Sequence, residues 1–432
     1  MTTNSILPRL ILAALFSASA LPGHAGDDEA FSDRAAVALE SPAQLPAFLA
    51  DYGFIVIDQI PSAGVALVML DRIYEQDEFE ELLENDPRVD WADLDFEAGL
   101  SSGGSQSLFN IIPPGGFINQ PMLGVISPPV GAAAPTGDGV RIAVIDTGAD
   151  AQHAELLGRL LPGHNVILDS SDTADIGPGV FTGHGTFVAA LSLLVAPEAR
   201  VIPIRAMDGQ GMSTTWLIAK GIYKAIDLDA SIINISLGSY ESTEILERAA
   251  EAARQAGVVV VAAAGNDNIS SPVWWPAAIP SVISVAGTDN ADVKAPFSNF
   301  GSEVDIAAPA VDIVSATTGG EYAEASGTSW SAALVSGAAA LLRQQLPGAD
   351  LDALVSDLLS ASVDIDGTNP DHQGQLGAGR LDLAGLASCP GDFDGDGLVG
   401  FVDLNIVLAA FNNTMGFAEL NAVLSTFNSA CR

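Results

Sequence analysis

The stretch that decides the fold covers residues 327–337: Gly327-Thr328-Ser329-Trp330-Ser331-Ala332-Ala333-Leu334-Val335-Ser336-Gly337. It places a serine after a glycine-containing turn, and the small apolar residues that follow predict a buried helix. Ser329 therefore lies where a helix start leaves backbone N–H groups unpaired and makes the local field positive. Such a position stabilises negative charge that develops beside the hydroxyl. A simple helix-capping serine is the alternative that this stretch leaves open.

Around this stretch, short apolar runs alternate with helical segments from residue 119 to residue 387. The predicted strands are 140–145, 200–205, 231–236, 258–263 and 282–286. The predicted helices are 184–194, 215–226, 243–256 and the one that begins near residue 328. Fully apolar strands separated by helices predict an α/β domain with a mostly parallel sheet and helices on both faces.

Polar residues stand where ligands bind in such a sheet, at the carboxyl ends of the strands. Asp146, Ser236 and Asn266 each follow a predicted strand, and His184 opens a predicted helix. A serine is a poor nucleophile without an adjacent base, and histidine serves as that base near neutral pH. The histidine in turn needs a carboxylate that fixes its tautomer. Asp146, His184 and Ser329 supply these three groups, and the Asn266 amide can donate to an oxyanion.

Together, in the order Asp…His…Ser, these segments resemble the subtilisin family of serine proteases, the subtilases or peptidase S8 type. The resemblance implies a serine endopeptidase that works through an acyl-enzyme, with Asp146, His184 and Ser329 as the triad. It places Asn266 in the oxyanion hole and requires no cofactor for catalysis. An esterase with the same groups is disfavoured because the Gly-x-Ser-x-Gly elbow is missing. A catalytically silent subtilase fold that acts as a surface or binding protein is the other alternative.

The resemblance also implies that a protein or peptide substrate binds as an added strand between two segments of the enzyme. The matching positions are Ser236, Leu237 and Gly238 in one segment and Ala263, Ala264 and Gly265 in the other. Main-chain pairing of this kind tolerates any sequence, so specificity has to come from pockets.

Two departures from the family pattern are visible. Trp330 and Ser331 stand where the family has methionine and alanine, although no triad group is lost. Trp274 stands where many relatives have a glycine that forms the floor of the main specificity pocket. We therefore expect Trp274 to narrow that pocket and to favour small side chains.

The first 118 residues precede this domain. Residues 1–25 carry an arginine, a short apolar run and small residues before position 26, which predicts a secretory signal peptide rather than a membrane anchor. Residues 26–100 show a β-α-β-β-α-β order that predicts a ferredoxin-like unit. By resemblance, this unit is a propeptide that inhibits the site until the enzyme removes it. The glycine, serine and proline residues of 101–118 predict a linker that contains the processing site.

Residues 388–432 have a separate pattern. Asp392, Asp394, Asp396 and Asp403, together with the carbonyl of Leu398, have the spacing of an EF-hand loop and predict one Ca²⁺. A solvated acidic loop is the alternative. The segment from Gly400 recurs 16 residues later without a second acidic loop, and the tail resembles a degenerate dockerin module. This predicts a small helical module that docks to a surface or scaffold partner.

The cysteines and the net charge indicate where the protein acts and which partners it has. The two cysteines, Cys389 and Cys431, bracket the tail and predict a disulfide in an exported protein, with two unpaired thiols as the alternative. The chain has 54 acidic and 16 basic residues, a net charge of −38, which disfavours nucleic acid and anionic membranes as partners. No segment is long and apolar enough to span a membrane, and we expect a secreted monomer.

Overall fold

The computed structural model describes residues 31–100, 109–129, 134–384 and 400–411, together with 415–416, 420 and 423–424 of the tail. The predicted signal peptide, the first half of the predicted linker and most of the acidic loop lie outside the described residues. Among the helices that are described, none has the length and apolar character that crossing a membrane requires.

The N-terminal region is an antiparallel α+β unit. Its elements are β1 (Phe31–Leu39), α1 (Leu45–Tyr52), β2 (Ile55–Ile60), β3 (Val65–Glu75), α2 (Gln76–Leu83) and β4 (Val89–Leu94). The strand order is β2-β3-β1-β4 and every pair is antiparallel. The predicted β-α-β-β-α-β order is confirmed, and the two helices bury Phe48 and Phe79 against the sheet.

Fourteen further strands are described after this unit. They are β5 (Glu97–Gly99), β6 (Asn110–Ile112), β7 (Arg141–Asp146), β8 (His164–Asn165), β9 (Arg200–Arg205), β10 (Met212–Thr214), β11 (Ile232–Ile235), β12 (Val259–Ala263), β13 (Ile283–Thr288), β14 (Ile306–Pro309), β15 (Ile313–Ala316), β16 (Tyr322–Ala325), β17 (Ser362–Val363) and β18 (Arg380–Leu381). The accompanying helices are α3 (Pro121–Ile126), α4 (His184–Val195), α5 (Thr215–Asp227), α6 (Glu244–Gln255), α7 (Thr328–Gln345), α8 (Leu351–Ser360) and α9 (Phe401–Ala410).

Nine of these strands form one sheet in the order β17-β18-β14-β13-β12-β11-β7-β9-β8, and its pairs are parallel except β17–β18. Alternate side chains of a strand point to opposite faces. Ile142 and Val144 of β7 accordingly join the core with α4 and α7, while Ala143 and Ile145 join the core with α5 and α6. The predicted mostly parallel sheet with helices on both faces is therefore confirmed.

The predicted linker over 101–118 is wrong in its second half. Strand β6 pairs antiparallel with β16, and Phe109 packs against the large core. The proline and glycine residues around 113–116 form a tight helical turn between β6 and α3 rather than an open connection. Local composition indicated a linker because it carries no information about strand β16, the pairing partner of β6, which lies some 200 residues later in the chain.

The N-terminal region contacts the main domain through carboxylates at helix starts. The Asp93 carboxylate accepts a hydrogen bond from Glu244 N at 2.5 Å, at the start of α6. The Asp95 carboxylate accepts from Thr215 Oγ1 at 3.0 Å and from Trp216 N at 2.9 Å, at the start of α5. Each carboxylate satisfies N–H groups that a helix start leaves unpaired and faces the positive end of the helix dipole.

A third aspartate reaches further along α5. The Asp58 carboxylate accepts from Lys220 Nζ at 2.7 and 2.9 Å and from Trp216 Nε1 at 2.8 Å. Together the three aspartates fix the orientation of the N-terminal region on helices α5 and α6.

The described part of the tail contains α9, which begins at Phe401. The Asp403 carboxylate accepts from Gly400 N at 2.7 Å and so caps the helix start. Val407 and Val423 stand at equivalent positions of the two repeats and are buried together, which shows that the repeats pack on each other. The predicted ligands Asp392, Asp394, Asp396 and Leu398 and both cysteines lie outside the described residues.

The interface predicts a pH effect on stability. Burial raises the pKa of Asp93 from its usual 3.8 to about 6, and the Glu80 carboxylate pushes it in the same direction. A carboxyl whose pKa is higher in the folded than in the unfolded chain favours folding when it is protonated. This contribution is fully present below about pH 4 and is lost as the pH rises through 6.

We expect the uncleaved Ser329→Ala chain to gain thermal stability relative to its Asp93→Asn derivative as the pH falls from 7 to 4. Asparagine can still accept a hydrogen bond from Glu244 N but does not titrate. The double variant therefore separates the effect of protonating Asp93 from the effect of the hydrogen bond. Thermal unfolding of both proteins across this range measures the difference. A stability difference that stays constant with pH would show that Asp93 does not titrate in this window.

Candidate active site

A buried carboxylate and a histidine form the centre of the site. Asp146 is the last residue of β7 and is 0% exposed. His184 is the first residue of α4, and its Nδ1 lies 2.8 and 2.9 Å from the two Asp146 carboxylate oxygens. Thr147 N donates to the same carboxylate at 2.7 Å. A buried carboxylate with these partners holds the histidine in the tautomer that leaves Nε2 available to accept a proton.

A second buried carboxylate, which the sequence analysis missed, fixes the helix that carries His184. The Asp175 carboxylate accepts from Gly183 N at 2.9 Å, Thr186 N at 3.1 Å and Thr186 Oγ1 at 2.7 Å. Burial raises the pKa of Asp175, and the neighbouring Asp146 charge adds to this. Asp175 caps the start of α4 from a separate loop, so no local spacing in the sequence pointed to it.

The predicted nucleophile lies in the first turn of α7. Ser329 is 3% exposed, and its Oγ donates to the carbonyl oxygen of Ser236 at 3.2 Å. Ser236 Oγ donates in return to the Ser329 carbonyl at 3.1 Å, which links the end of β11 to the start of α7. Within the described part of the chain, no hydrogen bond joins Ser329 Oγ to His184. The hydroxyl has to leave the Ser236 carbonyl before the histidine can accept its proton.

The predicted oxyanion donor is oriented by its neighbour. Asn266 Oδ1 accepts from Thr328 N at 2.9 Å and from Thr328 Oγ1 at 3.0 Å. With its oxygen held in this way, the carboxamide directs Nδ2 toward Gly327, where a β-carbon would lie 3.9 Å from Nδ2. The Asn266 amide and the backbone N–H of Ser329 therefore lie at the same helix start, as an oxyanion hole requires.

A strand of the chain itself occupies the cleft beside these groups. Gly99 N donates to Gly238 O at 2.8 Å, and Gly238 N donates to Gly99 O at 3.1 Å. On its other side β5 pairs antiparallel with β10, and Leu100 N donates to Gly211 O at 3.0 Å. The cleft thus binds an extended peptide between Gly238 and the 211–214 segment.

The predicted second binding segment, Ala263, Ala264 and Gly265, needs correction. Ala263 lies within β12, and the Ala264 carbonyl accepts from Trp274 N at 3.0 Å and Asn299 Nδ2 at 2.9 Å. The Gly265 carbonyl accepts from Asn299 N at 3.0 Å. These carbonyls are already used inside the domain, so β10 and not this segment forms the second flank. In the first segment, Gly238 pairs with Gly99 of the chain itself.

A comparison with known families identifies the domain. The model of the subtilase family of S8 peptidases matches residues 137–378, more than half of the chain. The chain belongs to the subtilase family of serine endopeptidases.

Two relatives with described activities have similar sequences. The chain is 42% identical over 217 residues to a thermophilic serine proteinase of Bacillus sp. (strain AK1), covering 48% of this chain and 53% of the relative. It is 37% identical over 219 residues to thermitase of Thermoactinomyces vulgaris, covering 48% of this chain and 76% of thermitase. The chain thus spans about half the length of the first relative and three quarters of the second.

One solved structure extends the likeness beyond the family domain. Fervidolysin from Fervidobacterium pennivorans superposes with a TM-score of 0.66 at 23% identity, covering 84% of this chain and 61% of fervidolysin. At this identity the likeness concerns the fold alone.

Trp274 of this subtilase lies between the two segments that were predicted to bind substrate. A β-carbon on Gly238 would lie 3.0 Å from Trp274 Cβ, and one on Gly265 would lie 2.7 Å from its Cδ2. The indole is 4% exposed, and the ring of Tyr240 packs edge-on against it at 5.8 Å. The side chain therefore fills the space between these two glycines beside the cleft.

Among the residues that the structure describes, no group of three or more histidine, cysteine, aspartate or glutamate side chains is placed to hold an ion. Asp146 and Asp175 are instead satisfied by N–H and O–H donors.

We expect Trp274→Ala to increase kcat/KM for peptides with a large aromatic residue before the cleaved bond by about 10- to 100-fold relative to peptides with alanine there. The physical reason is the room that the missing indole leaves between Gly238 and Gly265. A matched peptide series measures the ratio, and Trp274→Phe is the control, because it keeps most of the ring. Unaltered preference in the alanine variant, or wild-type preference for aromatics, would contradict this assignment.

Proposed function

We propose that this subtilase is a secreted serine endopeptidase that hydrolyses peptide bonds with Asp146, His184 and Ser329 and matures by removing its own N-terminal region. The observation that carries the proposal is the bond from the His184 imidazole to the fully buried Asp146 carboxylate, beside a serine at a helix start. The family membership and the named activities of its relatives support it.

The reaction follows from the roles of these groups. His184 Nε2 accepts the Ser329 proton while Oγ attacks the carbonyl carbon, and the Asp146 carboxylate stabilises the imidazolium that forms. The carbonyl electron pair moves to its oxygen, where the Ser329 N–H and Asn266 Nδ2 donate to it. As the C–N bond breaks, the leaving amine takes the proton from His184, and water then hydrolyses the ester by the same steps.

The N-terminal region acts as an inhibitor in this proposal. Its last described residues lie in the cleft as a substrate-like strand, with Gly99 opposite Gly238. In antiparallel pairing, a peptide that continues this register places the residue two positions beyond Gly99 opposite Ser236, whose carbonyl is bonded to Ser329 Oγ. Applied to this chain, the register predicts that the enzyme cleaves the peptide bond after Ser101. Serine is also small, as the side chain of Trp274 requires.

The decisive experiment compares the secreted wild type with the Ser329→Ala variant. We expect wild-type protein to begin at Ser102, and the variant to keep its N-terminal region and begin at Gly26, after removal of the signal peptide. N-terminal sequencing and intact mass identify the first residue of each protein, and a fluorophosphonate probe should label only the wild type.

Asp146→Asn should lower kcat by about 10⁴-fold, because His184 is then no longer held in the tautomer that accepts the serine proton.

Ser331→Ala is the matched control, because this buried serine lies two residues along the same helix and donates only to the carbonyls of Ala308 and Pro309. It should process normally. Failure of the wild type both to process and to react with the probe would overturn the proposal and favour a catalytically silent binding protein. Processing at another bond would refute the register argument alone.

We further propose that residues 388–432 form a module that binds one Ca²⁺, is closed by a Cys389–Cys431 disulfide and docks to a surface or scaffold. Support comes from α9, which begins two residues before Asp403, because position 12 of an EF-hand loop lies in the first turn of the helix that follows. Asp403 is buried and faces the start of this helix. When bound, Ca²⁺ would neutralise the clustered carboxylates of the loop.

Calcium binding by the uncleaved Ser329→Ala chain should have a stoichiometry of one, measured by titration calorimetry after chelator treatment. Asp396→Asn should abolish it, since the variant removes one ligand charge from the loop. Asp371→Asn, which neutralises an exposed aspartate elsewhere, should leave it intact. Binding that survives Asp396→Asn, or two ions in the wild type, would refute the single-loop assignment.

A further inference from the structure

Trp330, next to the proposed nucleophile, packs against three aromatic rings. It is 1% exposed, and its indole lies 4.1 Å from the Phe187 ring, 4.8 Å from the His184 imidazole and 6.4 Å from the Phe109 ring, measured between centroids. Phe187 follows His184 by three residues on α4, so both rings project from one helix face. The orientation of the indole is therefore fixed by packing and needs no hydrogen bond.

The indole N–H is nevertheless buried and has no hydrogen-bond partner within the part of the chain that the structure describes. A buried unpaired donor lowers the stability of the folded protein, and native proteins contain few of them. Replacing the indole by an apolar side chain would avoid this cost. Because it lies beside the reacting serine, this unpaired donor is available to a group that is present only during the reaction.

The indole nitrogen lies beside the turn at Gly327, close to the other donors. A β-carbon on Gly327 would lie 3.5 Å from Trp330 Nε1 and 3.9 Å from Asn266 Nδ2. Two side-chain donors thus flank one point beside Gly327, at the helix start that also supplies the Ser329 N–H. Asn266 is held there by Thr328, and the indole is held by the aromatic rings.

We propose that Trp330 Nε1–H is a third hydrogen-bond donor to the oxyanion that forms when Ser329 attacks a peptide bond. The proposal rests on the proposed function of the triad and deepens it. The indole keeps its proton throughout: Ser329 Oγ bonds to the carbonyl carbon, the π pair moves to oxygen, and His184 holds the transferred proton. The donor contributes most after the oxygen has become negative, so it lowers the barrier rather than tightening substrate binding.

Trp330→Phe removes the donor and keeps an aromatic ring against Phe187 and His184. A hydrogen bond to a charged acceptor predicts a kcat lower by about 10- to 100-fold, with KM within about twofold of wild type. Affinity for a peptide aldehyde, which forms a tetrahedral adduct with the serine, should fall by the same factor. Affinity for the non-reactive alcohol of the same peptide should not change.

Two further variants separate hydrogen bonding from packing. Benzothienylalanine at position 330 keeps the shape of the indole and replaces the N–H by sulfur, and it should reproduce the Trp330→Phe kinetics at wild-type thermal stability. Phe187→Leu loosens the packing and keeps the N–H, and it should lower stability without a selective loss of aldehyde affinity.

If kcat and aldehyde affinity of the benzothienylalanine protein stay within twofold of wild type, Trp330 only packs and the proposal fails. Such a protein would still be processed and labelled by the fluorophosphonate probe, so this failure is distinct from failure of the triad.

Discussion

The structure depends on the burial of the Asp146 carboxylate at the end of a central strand. A carboxylate removed from water is tolerated only when hydrogen-bond donors surround it. Here the donors are Thr147 N and the His184 imidazole, so α4 must begin where its first residue reaches the strand end. The start of α4 is held in turn by Asp175, and the helix packs against α7, which carries Ser329. One electrostatic requirement thereby sets the relative positions of strand and helices.

The fold was predictable because a strand that is buried on both faces of a sheet has a recognisable run of apolar residues. Strand β7 and its parallel neighbours consist largely of apolar residues, and the predicted bounds lie within two residues of the observed ones. The positions of the three candidate catalytic residues were predictable for a related reason. Asp146, His184 and Ser329 each stand at the end or start of such an element, where a parallel sheet collects them at one edge.

The parts that could not be predicted depend on partners distant in sequence. Nothing local shows that the carbonyls of Ala264 and Gly265 are used by Asn299, so the second binding flank was misassigned and β10 was missed. Asp175 was missed because it caps a helix that begins nine residues later, at His184. Strands β14 to β16 have four residues each, which gives them little periodicity to detect.

The contact between the N-terminal region and the main domain has to work in a chain of net charge −38. Two acidic bodies gain nothing from attraction between net charges, and basic side chains are too few to cover an interface. Helix starts make the contact possible, because their unpaired N–H groups provide partial positive charge for the aspartates without any cationic side chain. Asp93 and Asp95 each face such a helix start, and only Asp58 uses a lysine, Lys220. Because these contacts are short and largely buried, added salt should screen them little. The same geometry that lets the acidic N-terminal region dock on the acidic main domain also directs β5 along the cleft toward Ser329.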